Sequence, residues 1–168
     1  MKTIRKSLFE TNSSSVHCVA ISKDSVDCNK FPKEIKLVDE LSFDWGTGES
    51  YHDPDSKFTY IIIPIRDAVQ FKDDDFIQRA MEYYTKIITT LNNNNVKTPD
   101  NMLKCAKNSY IDHSYCVFSE ILPSLAEDED RLLRFLFNND SYIETGNDND
   151  SDDYPSAPEN YESFYKYN

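Results

Sequence analysis

The first polar cluster in the sequence brings hydroxyl, amide and imidazole groups together between Thr11 and His17. A serine nucleophile needs a histidine within hydrogen-bond reach and a third group that orients the ring. Ser15 and His17 would share one face of a strand, because side chains alternate along it, and Asp112 is a candidate to orient the imidazole. No nucleophile-elbow motif accompanies the cluster. The alternative is therefore a serine-rich turn whose hydroxyl groups bind neighbouring backbone atoms.

The second polar cluster places an aspartate next to a histidine, Asp112 and His113. Such pairs occur in catalytic sites and in metal sites. Together with Cys105, Cys116 and one N-terminal cysteine, His113 suggests a zinc site, but only His113 and Cys116 have the close spacing of structural zinc ligands. Buried free thiols are the simpler interpretation. We therefore predict no metal and no cofactor.

An Asp-rich segment after Gly146 has the spacing of a calcium-binding loop. Positions 1, 3, 5, 7, 9 and 12 of that loop would be Asp148, Asp150, Asp152, Tyr154, Ser156 and Glu159. The sixth position is Asp153, where the sharp turn of such a loop requires glycine. We predict a solvated acidic tail here, with calcium binding as the alternative.

Charge is distributed unevenly along the chain, whose formal net charge is −12. Residues 120–168 hold thirteen acidic and three basic side chains, whereas residues 1–36 hold seven basic and four acidic ones. An acidic surface repels nucleic-acid phosphates and anionic membranes and attracts basic proteins. The balance therefore favours a basic protein partner, and the N-terminal basic region is the only candidate for direct nucleic-acid contact.

The fold that positions these groups is predicted to be α+β, in one domain of residues 1–146. Residues 16–21 and 58–65 have the apolar, β-branched composition of buried strands. A helix capped by Asp73 carries an apolar stripe from Phe76 to Leu91 and ends at the asparagines 92–95. Shorter helices are predicted after Thr98 and after Ser124, and a last strand at residues 142–144. The result is a small mixed or antiparallel sheet with about three helices, followed by an acidic, tyrosine-containing tail at residues 147–168.

Targeting signals also bear on the setting of the protein. The N-terminal stretch has no apolar region of the secretory type, and the longest apolar run, residues 60–65, is far too short to span a bilayer. The four cysteines form no CxxC pair. We therefore predict a cytoplasmic protein with reduced thiols.

Three stretches, residues 9–17, 110–114 and 137–149, resemble a family of small proteins carried by phages and mobile elements of low-GC Gram-positive bacteria. They are spread over most of the chain, and the first contains the motif FETNSSSVH. The resemblance implies a bacterial host cytoplasm as the setting. Small acidic proteins of such elements often look like inhibitors of host defence, including anti-CRISPR proteins that block Cas9.

That resemblance implies a binding function, because carboxylates can occupy a basic channel that normally holds phosphates. The acidic candidates are Asp128, Glu129, Asp130, Asp140, Asp148, Asp150, Asp152 and Asp153, with Tyr161 and Tyr165 as apolar anchors. In the simpler interpretation these carboxylates only keep the protein in solution. No residue is assigned a catalytic role in this reading.

A second hypothesis is an enzyme or small-ligand-binding protein, because all three stretches are rich in chemically capable polar residues. Its candidate polar site consists of Thr11, Asn12, Ser13, Ser15, His17, Asp112, His113, Asn147 and Asn149. This hypothesis requires the three stretches to meet in space, which the binding hypothesis does not.

Overall fold

The computed structural model describes residues 15–44, 49–70, 73–104, 108–147 and 155–166. Its centre is a four-stranded antiparallel sheet in the order β3-β5-β1-β6. The strands are β1 (Ser15–Ser22), β3 (Ser50–Tyr51), β5 (Tyr142–Asn147) and β6 (Tyr161–Lys166). Two further short strands, β2 (Ser42–Phe43) and β4 (Tyr110–Ile111), form a parallel pair.

Helices pack on the sheet around one hydrophobic core. They are α1 (Pro54–Gln70), α2 (Asp74–Asn93), α3 (Ser114–Cys116), α4 (Leu122–Ala126) and α5 (Glu129–Phe137), with a π-helical turn at Val117–Ile121 between α3 and α4. The prediction of an α+β fold is confirmed. Within the described ranges, no helix combines the length and apolar character that crossing a membrane requires.

The β1 and α2 predictions are also confirmed. β1 is buried along its whole length. The carboxylate of Asp73 accepts the backbone N–H groups of Asp75 and Phe76 at the start of α2, and Asn94 ends that helix. At α2, capping chemistry and apolar periodicity indicate the same helix, which is why the sequence was sufficient to find it.

Residues 58–65 form a helix, so the predicted strand is wrong. They lie in the middle of α1, which Asp53 caps by accepting the N–H of Ser56 at 2.8 Å. Most of α1 is buried on every side, and a helix of that kind has no polar face to give it a helical period. An apolar run of this length fits a buried strand equally well. Pro64 is inside the helix, where it removes one hydrogen bond.

The predicted tail is wrong for residues 161–166. They form β6, which pairs antiparallel with β1 from Ser22↔Tyr161 to His17↔Lys166. Phe164 packs against the core, and the side chain of Lys166 is fully buried. Asn147 belongs to β5. The domain therefore extends beyond the predicted boundary at residue 146, and its edge strand comes from the C-terminal end of the chain.

Candidate functional site

The first half of β1 carries the polar residues of the candidate site on the face that packs against α1. Ser15 and His17 both point to this face, ahead of the core residues Val19 and Ile21. Thr145 of β5 and Lys166 of β6 lie on either side of His17 in the sheet. Three adjacent strands therefore place polar side chains in one row at the end of the sheet.

Ser15 is the centre of this polar cluster, which we define as Ser15, His17, Asp112 and Lys166. The Oγ atom of Ser15 lies 2.9 Å from Nε2 of His17 and 3.3 Å from Oδ2 of Asp112. The Nζ atom of Lys166 donates to Ser15 Oγ at 2.9 Å and to the Ser15 carbonyl oxygen at 2.6 Å. The prediction that Ser15 and His17 share a strand face is confirmed.

His17 is fully buried, and its ring is held from both sides. Its Nδ1 atom lies 3.0 Å from the Tyr60 hydroxyl, so the group that orients the ring is Tyr60 of α1 and not Asp112. Burial, reinforced by the positive charge of Lys166, lowers the pKa of His17 to about 3. The imidazole is therefore neutral near pH 7, and its pKa lies far from the range in which a general base is effective.

Asp112 is partly buried and contacts Ser15. Its Oδ2 atom accepts the Ser15 backbone N–H at 3.1 Å, and its Oδ1 atom lies 3.3 Å from Nδ1 of His113. Burial opposes ionisation of this carboxyl, but the bonds from Ser15 and the charges of Lys166 and His113 hold its pKa below the ordinary value. Asp112 therefore supplies a negative charge that balances the buried Lys166.

Thr145 adds an unsatisfied polar group beside the polar cluster. The residue is 1% exposed and lies directly opposite His17 in the β1–β5 pairing. Its Oγ1 atom is buried and has no hydrogen-bond partner. Such groups are rare in native structures because leaving one unpaired costs about 1–3 kcal/mol.

The remaining predicted polar residues divide into two groups. Asn147 is opposite Ser15 in the sheet, and His113 is 57% exposed with a left-handed backbone at φ 52°. Outside the described residues are Thr11, Asn12, Ser13 and Asn149. The first and second stretches therefore meet at Ser15 and Asp112. The third stretch reaches the same place because its Asn147 pairs with Ser15 in the sheet.

Sequence reasoning missed Tyr60, Thr145 and Lys166. Tyr60 was assigned to a strand and Lys166 to a tail, so neither had a predicted position near His17. The sequence of β6, YESFYK, has no clean alternation of apolar and polar residues that would have identified it as a strand.

The acidic residues predicted to bind a partner have several structural roles. Asp128 caps α5 by accepting the Arg131 N–H at 3.0 Å, and Glu129 accepts a bond from Asn94 at 3.1 Å. Asp130 pairs with Arg134 at 2.8 Å while its side chain stays 72% exposed. Asp140 is exposed beyond the other end of α5.

The other predicted partner-binding residues divide between the sheet and the undescribed part. Tyr161 and Tyr165 are half-buried residues of β6, and the Tyr165 hydroxyl accepts the Ala157 N–H at 3.4 Å. Their predicted placement on a loose tail is therefore wrong. The carboxylates of the calcium-like segment, Asp148, Asp150, Asp152 and Asp153, lie outside the described residues.

The buried charged side chains of the described residues are all basic: Lys57, Arg66, Arg134 and Lys166. Each donates to backbone carbonyl oxygens. The Lys57 ammonium, for example, binds the carbonyls of Asn138 and Ser141 at 3.0 Å each. Burial lowers the pKa of Lys57 to about 7. Among the described residues, the fold thus buries four Lys and Arg side chains and no Asp or Glu side chain.

The zinc alternative requires metal ligands that lie close together in the structure. No group of three His, Cys, Asp or Glu side chains there is arranged to hold a metal ion. Cys116 is half-buried and reduced, and Cys105, the other proposed zinc ligand in this region, lies outside the described residues.

The geometry of the polar cluster is thus a closed network of hydrogen bonds and opposite charges around one serine. The chain matches no protein-family model, no curated protein and no solved structure.

Proposed function

We propose that this chain is a mobile-element accessory protein that binds and inhibits a basic, nucleic-acid-handling host defence enzyme in the bacterial cytoplasm. The specific target that we propose is a Cas9-type nuclease. The observation that supports the proposal best is which ionisable residues the fold buries: among the described Lys, Arg, Asp and Glu residues, the four that are buried are all Lys or Arg. Among the described residues, every Asp and Glu side chain is therefore at least partly open to a partner, in a chain whose formal charge is −12.

Such a surface suits competition with nucleic acid. A channel that holds a guide–target duplex recognises it through backbone phosphates, and fixed carboxylates present the same charge. Association between oppositely charged surfaces is also accelerated by long-range steering. Asp130 is placed for this role because its carboxylate stays exposed even while it pairs with Arg134.

The burial of the polar cluster also supports a binding function. Ser15, His17 and Lys166 have no exposed surface, and a nucleophile must be reached by its substrate. The low pKa of His17 further weakens it as a base. A network of this kind serves well to fix the position of β6 against β1.

The proposal is tested with a purified Cas9-type nuclease. Target cleavage is measured against inhibitor concentration, and the dissociation constant is measured at several salt concentrations. A variant with Asp148, Asp150, Asp152 and Asp153 each changed to asparagine is expected to bind more weakly and to show a flatter salt dependence.

A matched control removes the same charge from the N-terminal third of the chain, through Asp24→Asn, Asp27→Asn, Glu34→Gln and Asp39→Asn. We expect this control to retain most of the affinity. Equal losses of affinity in both variants would mean that binding depends on net charge and not on the position of the carboxylates. Absence of inhibition by the unmodified protein would refute the proposed target.

A second candidate function is a small-ligand or catalytic site at the polar cluster. The observations that favour it are the convergence of the predicted stretches and the unsatisfied Thr145 hydroxyl. The change His17→Ala separates the two functions. If the variant is folded and inhibits normally, the surface-binding function is supported; if the fold is retained and function is lost, the polar cluster is the functional site.

A further inference from the structure

A pocket of about 190 Å³ opens where the end of α1, the start of α2 and α3 meet. Its lining includes three aromatic rings and two carboxylates. The lining residues are Pro64, Asp67, Ala68, Asp73, Phe76, Ser114, Tyr115 and Phe118. Small-molecule sites usually measure about 300–1,000 Å³. The volume here suits one amino-acid side chain better than a small-molecule ligand.

The aromatic part of the pocket is a group of three rings. Phe76 stacks on Phe118 with ring centres 5.4 Å apart and lies 5.6 Å from the ring of Tyr115. Phe118 is 3% exposed and forms the floor, whereas Tyr115 is 58% exposed, the most exposed large apolar side chain of the described residues. A large exposed ring beside a preformed pocket is typical of a contact residue for a partner.

A cation already lies against this group of rings. The guanidinium carbon of Arg79 is 4.7 Å from the ring centre of Phe76. Aromatic faces attract cations through the ring quadrupole, and arginine is the cation found there most often. The rings of this pocket are thus in an environment that accepts a guanidinium group.

Carboxylates complete the match to a cation. Asp73 uses Oδ1 to cap α2, at 3.1 Å from the Asp75 nitrogen. Asp67 also lines the pocket, and its charge is paired with Arg66, which binds it at 2.8 Å. A pocket lined by aromatic rings and by the carboxylate of Asp73 is complementary to a group that is flat, apolar on its faces and positively charged at its edge. The arginine side chain has this chemistry, whereas lysine carries a compact, strongly hydrated charge.

We propose that this pocket receives an arginine side chain of a basic protein partner. The inference rests on the proposed function, since it names the group of the partner that the acidic protein would recognise. It adds a specific anchor to an otherwise non-specific electrostatic attraction, as buried arginine contacts do in other interfaces.

The test uses two short peptides of equal length and charge, in which glycine alternates with arginine or with lysine. Binding of each to the full chain is measured by calorimetry at low and moderate salt. We expect the arginine peptide to bind more tightly. The change Tyr115→Ala should weaken arginine binding by roughly fivefold to tenfold, the size of a typical cation–π contact, and leave lysine binding nearly unchanged.

Two matched controls exclude general effects. Tyr110→Ala removes another exposed tyrosine that is not part of the pocket. Asp73→Asn removes the pocket charge but keeps a good helix cap, and Asp74→Asn removes the same charge from the neighbouring position. We expect Tyr115→Ala and Asp73→Asn to weaken arginine binding, and the two controls to leave it unchanged.

The outcomes distinguish the pocket from the proposed function. Equal binding of both peptides, or equal effects of pocket and control variants, would overturn the arginine pocket even if the protein inhibits its target. Absence of inhibition with arginine-selective binding intact would overturn the proposed target alone.

Discussion

The ammonium group of Lys166 lies 2.6 Å from the carbonyl oxygen of Ser15, joining the C-terminal end of the sheet to its first strand. Neither group has exposed surface. The contact also brings the charge of Lys166 close to Asp112, which binds the same serine. This relationship explains why residues predicted to form a tail belong instead to the core of the domain.

The change Lys166→Met is expected to destabilise the protein by about 3 kcal/mol. The variant keeps most of the apolar stem but removes the donor that Lys166 provides to the Ser15 carbonyl and the buried positive charge near Asp112. Breaking buried polar pairs has costs of this size. Urea unfolding measures the loss. Lys30→Met is the control because the Lys30 side chain is 82% exposed, and surface changes usually stay within about 0.5 kcal/mol. Equal stabilities of the two variants would contradict the docking of Lys166.

We expect the folded protein to become less stable in acid because of His17. Its pKa is about 3 in the folded protein, against 6.5 as the ordinary value, so the unfolded chain binds a proton in this range and the folded chain does not. Stability should therefore fall as pH decreases from about 6.5 to 3, by roughly 3–5 kcal/mol from this residue.

The measurement is the free energy of unfolding between pH 4 and 7. His17→Gln should show a shallower decrease than the unmodified protein, while His52→Gln, at an exposed position, should follow the unmodified curve. Parallel curves for all three proteins would show that His17 is not buried in its neutral form.

Two buried threonines allow a matched test of the unsatisfied hydroxyl. Thr59 donates to the Asp55 carbonyl at 2.7 Å and accepts the Val38 N–H at 2.9 Å, whereas Thr145 Oγ1 has no partner. Replacement by valine keeps the shape of each side chain. We expect Thr59→Val to destabilise by about 1–3 kcal/mol and Thr145→Val to be neutral or stabilising. A clear loss at Thr145 in thermal unfolding would indicate a ligand bound to its hydroxyl, in support of the second candidate function.

A chain that ends at Asn147 is expected to lose its cooperative fold. It would lack β6, and with it Glu162, which binds Arg131 at 2.8 Å and Arg134 at 2.7 Å. Because Arg134 is buried, losing its ion pair with Glu162 lowers the free energy of unfolding. Thermal unfolding followed by circular dichroism checks this, and the variant with four asparagines in place of Asp148, Asp150, Asp152 and Asp153 is the control that retains β6. A sharp transition in the shortened chain would contradict the role of β6.

Local signals in the sequence were enough for α2, where the cap and the apolar stripe indicate the same helix, and a short apolar run also predicted β1. They failed in α1, because a helix buried on all sides has no polar face to reveal its period. The prediction of a helix that begins after Ser124 is also wrong, because Asp128 caps α5 and Ser124 lies within α4. Candidate caps compete locally, and tertiary packing decides between them.

The candidate site was predictable only in part. Ser15, His17 and Asp112 were named from their chemistry, and the structure brings them together. The partners that decide what the site can do, Tyr60 and Lys166, depend on long-range pairing that leaves no local pattern. The mobile-element resemblance and the proposed target stay predictions until inhibition is measured.

The pairing of β1 with β6 has a consequence during synthesis. Ser15 is synthesised long before Lys166, so the edge of β1 that pairs with β6 stays unpaired until β6 has been synthesised. Until then, β1 exposes unpaired backbone groups of an apolar strand, the kind of edge that chaperones protect and that aggregates form from. The sheet is completed only once β6 has been synthesised and has left the ribosome.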